Sequence, residues 1–236
     1  MYYGRGLSLM WDPTYLLIII GAVISMGASA FMKSTVSKYN RIMSASGLTG
    51  RETAQRILSA AGIRNVRVGA IPGDLTDHYD PRTKVVNLSQ TVYGRNSLAA
   101  IGVAAHECGH AMQDAENYLP LRLRTQIVPA VNIGSTLSWP VFLLGLLFSI
   151  RPLTTAGIIL FSLAVIFQLV TLPVELNASR RALKMLEGTG ILGREENAGA
   201  RKVLTAAAMT YVAALAASVL QLLRLVLLAK GRSRDD

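Results

Sequence analysis

Apolar residues in this chain of 236 residues fall in long uncharged blocks rather than in narrow helical stripes. Thr14 to Met32 carries no charge and has the length that a bilayer's hydrocarbon core demands, roughly 20 residues of helix. Ile127 to Ile150 is also uncharged, though Pro129, Asn132 and Pro140 interrupt it. Leu153 to Leu172 is a clean apolar run. Val203 to Leu223 is rich in Ala and Leu, and Leu225 to Ala229 extends it past Arg224. Four spanning helices are expected. The second and fourth can also be read as buried helices of a membrane-embedded domain.

Between the first two blocks the pattern turns polar and periodic. Thr49 to Ala61 reads as an amphipathic helix, with a capping box at Thr49-Gly50-Arg51-Glu52 and a stop at Gly62. Short strand patterns follow at Val66 to Ile71, Leu75 to Tyr79 and Lys84 to Leu88, separated by turns at Pro72-Gly73 and Asp80-Pro81. Asn96 to Asp114 reads as a further helix whose first half, Ser97 to Ala105, is small and apolar. The chain therefore divides into an anchor (1–32), a polar part (33–126), two spans (127–172), a polar helix (173–202) and a last span with a basic tail (203–236). The fold class is mainly α, an integral membrane protein with a small β-sheet.

The net charge of +10 matters through its distribution. Lys33 to Gln126 holds 12 Lys and Arg, Pro173 to Lys202 holds six, and the link between the second and third spans holds only Arg151. Under the positive-inside rule both polar segments lie in the cytoplasm, with the N-terminus and the Arg151 loop outside. The tail cations Lys230, Arg232 and Arg234 run against that count. Ala28-Ser29-Ala30 resembles a signal-peptidase site. However, Arg5 is offset by Asp12, and Lys33, Lys38 and Arg41 follow the span at once, so an uncleaved anchor is expected. No compact basic patch with interleaved aromatics points to nucleic acid; anionic lipid head groups are the simpler counter-charge. The single cysteine excludes an internal disulfide framework.

Candidate chemistry concentrates in His106-Glu107-Cys108-Gly109-His110. Positions i and i+4 share a helix face, so both imidazoles can meet one metal ion, and Glu107 is placed as a general base. With 3 His and 7 Glu in the chain, chance would produce H-E-x-x-H in roughly one chain in a thousand. The alternative is a helix whose histidines only hydrogen-bond or face solvent. Gly109 is expected to keep the wall beside the metal thin and leave room for substrate. Cys108 lies well round the helix from both histidines and reads as packing.

Catalytic zinc usually takes three protein ligands and a water. Candidates for the third are Asp114, Glu116, Glu175, Glu187, Glu195 and Glu196. Asp114 shares the face of His110 but reaches the metal only if the helix ends, and Glu116 reads as a turn residue. Glu187, Glu195 and Glu196 read as solvated. Glu175 is favoured. It is expected to begin a helix, Val174 to Glu187, at the end of the third span, where an unpaired carboxylate is costly. Two spans separate it from the motif, which returns it to the same face. The alternative is a Glu that stabilises a helix N-terminus.

The phrases AAHECGHAMQ, NLSQTVY, PAVNIGSTLSWP and LPVELNASRRAL resemble the YugP-type membrane zinc metallopeptidases of bacteria along nearly the whole chain. These are similar in layout to the HtpX and CAAX-prenyl-protease group, in which H-E-x-x-H is followed by a Glu on a later helix. The resemblance implies a zincin-like catalytic domain holding one Zn²⁺ per chain on His106, His110 and Glu175, with Glu107 as the base. One departure is Ser179, where the HtpX-like pattern has an Asp that supports a ligand histidine.

The expected activity is endopeptidase hydrolysis of a peptide or protein substrate, in or near the cell membrane and on its cytoplasmic side, with an extended peptide laid on the sheet edge. Oxyanion-donor candidates are His78, Arg180, Arg181 and Tyr211; the two arginines can equally snorkel to head groups. Asn177 reads as packing or capping, and Tyr118 and Pro120 as closing the motif helix. The rivals are a zinc-binding membrane scaffold without turnover and a small transporter. The second lacks the ionisable residues that a transport path needs.

Overall fold

In the computed structural model, residues 12–232 are described; Arg5 and the tail residue Arg234 lie outside them. The elements in order are α1 (Tyr15–Tyr39), α2 (Gly50–Ala60), β1 (Arg67–Ile71), β2 (His78–Asp80), β3 (Val85–Ser89), α3 (Gln90–Tyr93), α4 (Leu98–Ala115), α5 (Leu119–Leu147), α6 (Arg151–Gly188) and α7 (Arg194–Arg232). The protein is predominantly helical with one small sheet, as the residue pattern predicts.

Four of these helices, α1, α5, α6 and α7, are long and apolar enough to cross a membrane. On α1, Leu16, Ile19, Val23 and Met26 are each more than half exposed, a cost in water that an apolar solvent removes. The helices are longer than their apolar blocks. At 1.5 Å per residue α6 runs about 57 Å, nearly twice a bilayer's hydrocarbon core, so part of it stands outside any membrane it crosses. The sequence reading broke this helix near Pro173. The structure instead carries it through Pro173 without interruption, so Glu175 sits mid-helix and cannot be an N-terminal capping carboxylate.

Of the described residues, those in Met1–Ala28, Arg124–Val170 and Tyr211–Asp236 form one compact unit, and Ser29–Leu123 with Thr171–Thr210 form the other. The first unit holds most of the apolar helix length. Inside it α5 and α6 meet closely: a Cβ on Gly157 would lie 2.7 Å from the Phe142 Cα, and one on Gly145 2.3 Å from the Thr154 amide nitrogen. Phe142 is fully buried there.

The second unit carries the sheet and α4. Its sheet has the order β1-β3-β2, with β1 parallel and β2 antiparallel to β3. The central strand β3 buries Val86 and Leu88 completely, and around them cluster Ala54 and Ile57 of α2, Ile101 and Ala104 of α4, Leu186 of α6, and Val203 of α7. The expected capping box is present: Thr49 Oγ1 accepts from the Glu52 amide, and the Glu52 carboxylate accepts from the Thr49 amide at 2.8 Å. Gly62 ends the region in the left-handed conformation, φ +73°. Ser97 caps α4 by accepting from the Ala100 amide, a start within two residues of the expected one.

Candidate metal centre

Helix α4 is buried nearly all round because its residues are small. Ala100, Ala104, Ala105, Cys108 and Ala111 are at most 1% exposed, which lets neighbouring helices approach its backbone. The closest approach is at Gly109. A Cβ there would meet the carbonyl oxygen of Ala178 on α6 at 2.5 Å, well inside van der Waals contact. The space expected to admit substrate is therefore filled by the α6 backbone. The glycine instead brings α6 against the motif helix, so that a side chain three residues before Ala178 faces the two histidines.

That side chain is Glu175. Its Oε2 lies 3.2 Å from His106 Nε2 and 3.5 Å from His110 Nε2. The imidazole planes stand at 84° with centroids 4.8 Å apart, as two rings aimed at a common point from successive turns would. The three ligand atoms all fall within 4.8 Å of one another. Ligands about 2.0–2.1 Å from a tetrahedral zinc stand roughly 3.3 Å apart, and the two Glu175 distances bracket that value. The donor set, two imidazole nitrogens and a carboxylate, is one that zinc takes at catalytic sites.

The remaining ring nitrogens are held from behind. His106 Nδ1 hydrogen-bonds Ser179 Oγ at 3.1 Å. His110 Nδ1 donates to Gln113 Oε1 at 3.0 Å, while Gln113 Nε2 donates to the Val174 carbonyl at 2.8 Å and to Asn177 Oδ1 at 3.0 Å. Gln113 is fully buried, so its amide orientation follows from these partners. With each Nδ1 engaged, each Nε2 is left to face Glu175, as outer hydrogen bonds arrange in metal sites. Ser179 thus occupies the place of the missing Asp and supports His106 without adding charge.

Two carboxylates stand beside the two imidazoles. Glu107 and Glu175 are both buried, 7% and 3% exposed. Burial by itself opposes a charged His110, but the hydrogen bond to Glu175 and the field of Glu107 outweigh it and hold that imidazole above the usual histidine value. Two buried carboxylates beside two imidazoles suit a bound cation.

The other candidate residues lie elsewhere or are committed. Asp114 accepts from Tyr79 Oη at 2.6 Å and pairs with Lys84 Nζ at 2.5 Å. Burial and then Asp114 hold the Tyr79 phenol well above its normal range. Glu116 forms a two-pronged pair with Arg181 at 2.6 and 2.7 Å. Arg181 Nε also donates to Asn177 Oδ1, so Arg181 is committed to two partners and Asn177 packs among its neighbours as the sequence suggests. Arg180 is exposed. His78 donates from Nδ1 to the Thr76 carbonyl and accepts at Nε2 from Asn87, out on the sheet. Tyr211 stands on α7 and is half-buried. Glu195 is exposed, and Glu187 is exposed with a 3.5 Å contact to Asn197. Glu196 is half-exposed and accepts from the Ala45 amide at 2.7 Å. Cys108 is packing, its thiol 3.6 Å from the Ala54 carbonyl and pushed up in pKa by burial. Tyr118 does close the motif helix: its amide bonds the Gln113 carbonyl at 2.8 Å, after Asn117 turns left-handed.

Sequence reasoning missed Gln113. Its signal was the spacing His110 to Gln113, one helix turn, which puts an amide beside a ligand ring.

Comparison with known proteins places this geometry in context. A family model described as "Putative neutral zinc metallopeptidase" matches residues 14–230. The chain is 47% identical over 223 residues to "Putative membrane protease YugP" of Bacillus subtilis (strain 168), covering 94% of this chain and 99% of that protein. No solved structure matches.

Proposed function

The chain belongs to the neutral zinc metallopeptidase family, and on that premise we propose a membrane-embedded endopeptidase in which His106, His110 and Glu175 hold one zinc ion and Glu107 is the general base. The observation that carries this reading is the convergence of three donor atoms from two helices, with both Nδ1 atoms already engaged. Bound zinc acidifies water into the neutral range and polarises a carbonyl. The chain's own residues do the rest. Glu107, one position after the first ligand, accepts a proton from the attacking water and returns it to the leaving amide nitrogen. Gln113 and Ser179 hold the two imidazoles in the tautomer that frees Nε2. The outer strand β2 offers a free edge on which an extended peptide can add as a further strand.

The substrate class is a peptide or protein, and the setting is the cell membrane with four crossings. Charge counting puts the metal centre on the cytoplasmic side, because both polar segments that build it are rich in Lys and Arg.

The direct test is hydrolysis of an unfolded protein by the detergent-purified full chain. Cleavage is expected to stop on chelation and to return with zinc, at close to one ion per chain. No zinc after reconstitution would defeat the reading. Replacing Gln113 by Leu should lower zinc affinity by about 10–100-fold, the usual cost of losing an outer hydrogen bond to a ligand. Equilibrium dialysis checks it, and an unchanged affinity would remove Gln113 from the site.

A further inference from the structure

We propose that Arg181 is a positioning residue for the metal centre: through Asn177 and Gln113 it fixes the direction of a hydrogen-bond chain that ends on His110. The chain starts at the Glu116 carboxylate, which accepts from Arg181 Nη1 and Nη2 at 2.6 and 2.7 Å. Arg181 Nε donates to Asn177 Oδ1 at 2.7 Å, and Gln113 Nε2 donates to the same oxygen at 3.0 Å. Gln113 Oε1 then meets His110 Nδ1 at 3.0 Å. All of these residues belong to one compact unit.

A guanidinium carries donors only. Arg181 Nε therefore makes Oδ1 the atom that Asn177 presents, and an amide oxygen only accepts. That oxygen takes one hydrogen of the Gln113 amide, and the Val174 carbonyl takes the other at 2.8 Å. Gln113 has its oxygen left for His110, so Nδ1 is the nitrogen that carries the proton and Nε2 keeps its lone pair for a metal ion. The Val174 carbonyl is one anchor of Gln113 and Arg181, acting through Asn177, is the second. Without Arg181 the Asn177 amide can turn its own NH₂ toward Gln113 and set donor against donor. Arg181 is itself held on two sides, by the two-pronged bond to Glu116 and by the Tyr118 ring, 5.8 Å from the guanidinium carbon. Its side chain is 22% exposed against 60% for Glu116, so the donor end of the pair is the one turned toward the site. This inference rests on the zinc reading of His106, His110 and Glu175.

Equilibrium dialysis of zinc against the detergent-purified full chain tests it, with circular dichroism as the check on folding. Arg181→Met should weaken zinc binding about 2–10-fold, the contribution of one net hydrogen bond, and Asn177→Leu should weaken it as much. The double variant should lose no more than either single one, because both cut the same chain. Glu116→Gln, which keeps an acceptor for Arg181, should bind zinc as the wild type does. A pair that only ties the end of α4 to α6 would instead make Glu116→Gln as costly as Arg181→Met. A second readout replaces zinc by cobalt(II), which shifts the exchangeable Nδ1 proton of His110 out of the crowded spectrum; its exchange with water should quicken in Arg181→Met. Additive losses, an equal loss in Glu116→Gln, unchanged proton exchange, or wild-type zinc affinity in folded Arg181→Met would each overturn the inference and leave the zinc reading standing. Should Arg181→Met lose helical content, Asn177→Leu decides alone, and wild-type affinity there overturns the inference. A wild-type chain that binds no zinc would overturn the zinc reading and this inference with it.

Discussion

Replacing Glu107 by Gln should slow peptide hydrolysis by about 10²–10⁴-fold, the range for loss of a positioned general base, and leave zinc content unchanged. Gln matches Glu in size, so a side chain only 7% exposed is replaced without a cavity. What disappears is the ability to take a proton: an amide oxygen accepts a hydrogen bond but does not become protonated near neutral pH. Zinc should stay because Glu107 is not among the three grouped donors. Single-turnover rates beside elemental analysis of the same preparation check both halves. If zinc left together with activity, Glu107 would be a ligand or a structural group. If activity persisted, the base would lie elsewhere, whereas a zinc-loaded but inert wild type would point to the scaffold reading.

The second large effect concerns Glu175. Glu175→Ala should lose zinc outright, a larger fall than the about 10–100-fold expected of an outer-shell partner such as Gln113. The carboxylate lies 3.2 and 3.5 Å from the two histidine nitrogens, and without it two imidazoles remain to hold the ion. Metal content and far-UV circular dichroism should be read together. Loss of zinc with helical content retained supports the assignment. Zinc retained at wild-type affinity would remove Glu175 as a ligand. Asp114 and Glu116 would then have to leave the pairs they form with Lys84 and Arg181 to replace it.

These two residues also mark how far the sequence could be read. The proposal for Glu107 rests on spacing alone, because an i, i+4 histidine pair with an intervening Glu has one common chemical use and the helix period is invariant. Glu175 was legible only as the best of six carboxylates, and for a partly mistaken reason. It was placed at the start of a separate helix after the third span, yet α6 passes through Pro173 without interruption.

Gly109 and Gln113 were harder still. A glycine in a helix signals close approach without saying what approaches, and here the neighbour is the Ala178 carbonyl, 69 residues along the chain from Gly109. An amide in an apolar helix signals a buried partner without naming it, and Gln113 has three, of which two belong to α6. Glu116 and Arg181 looked like a turn residue and a head-group cation for the same reason: their pairing joins separate elements.

Local pattern therefore determined α2, α4, the three strands, the capping box at Thr49 and the shared face of His106 and His110, because each depends on residues within a few turns of one another. Only the tertiary structure decided the parallel pairing of β1 with β3, the continuity of α6, the partner of each histidine Nδ1 and the position of Glu175. Those features depend on which surfaces meet. They meet where small residues on α4 let the α6 backbone come within a side chain's width of the motif.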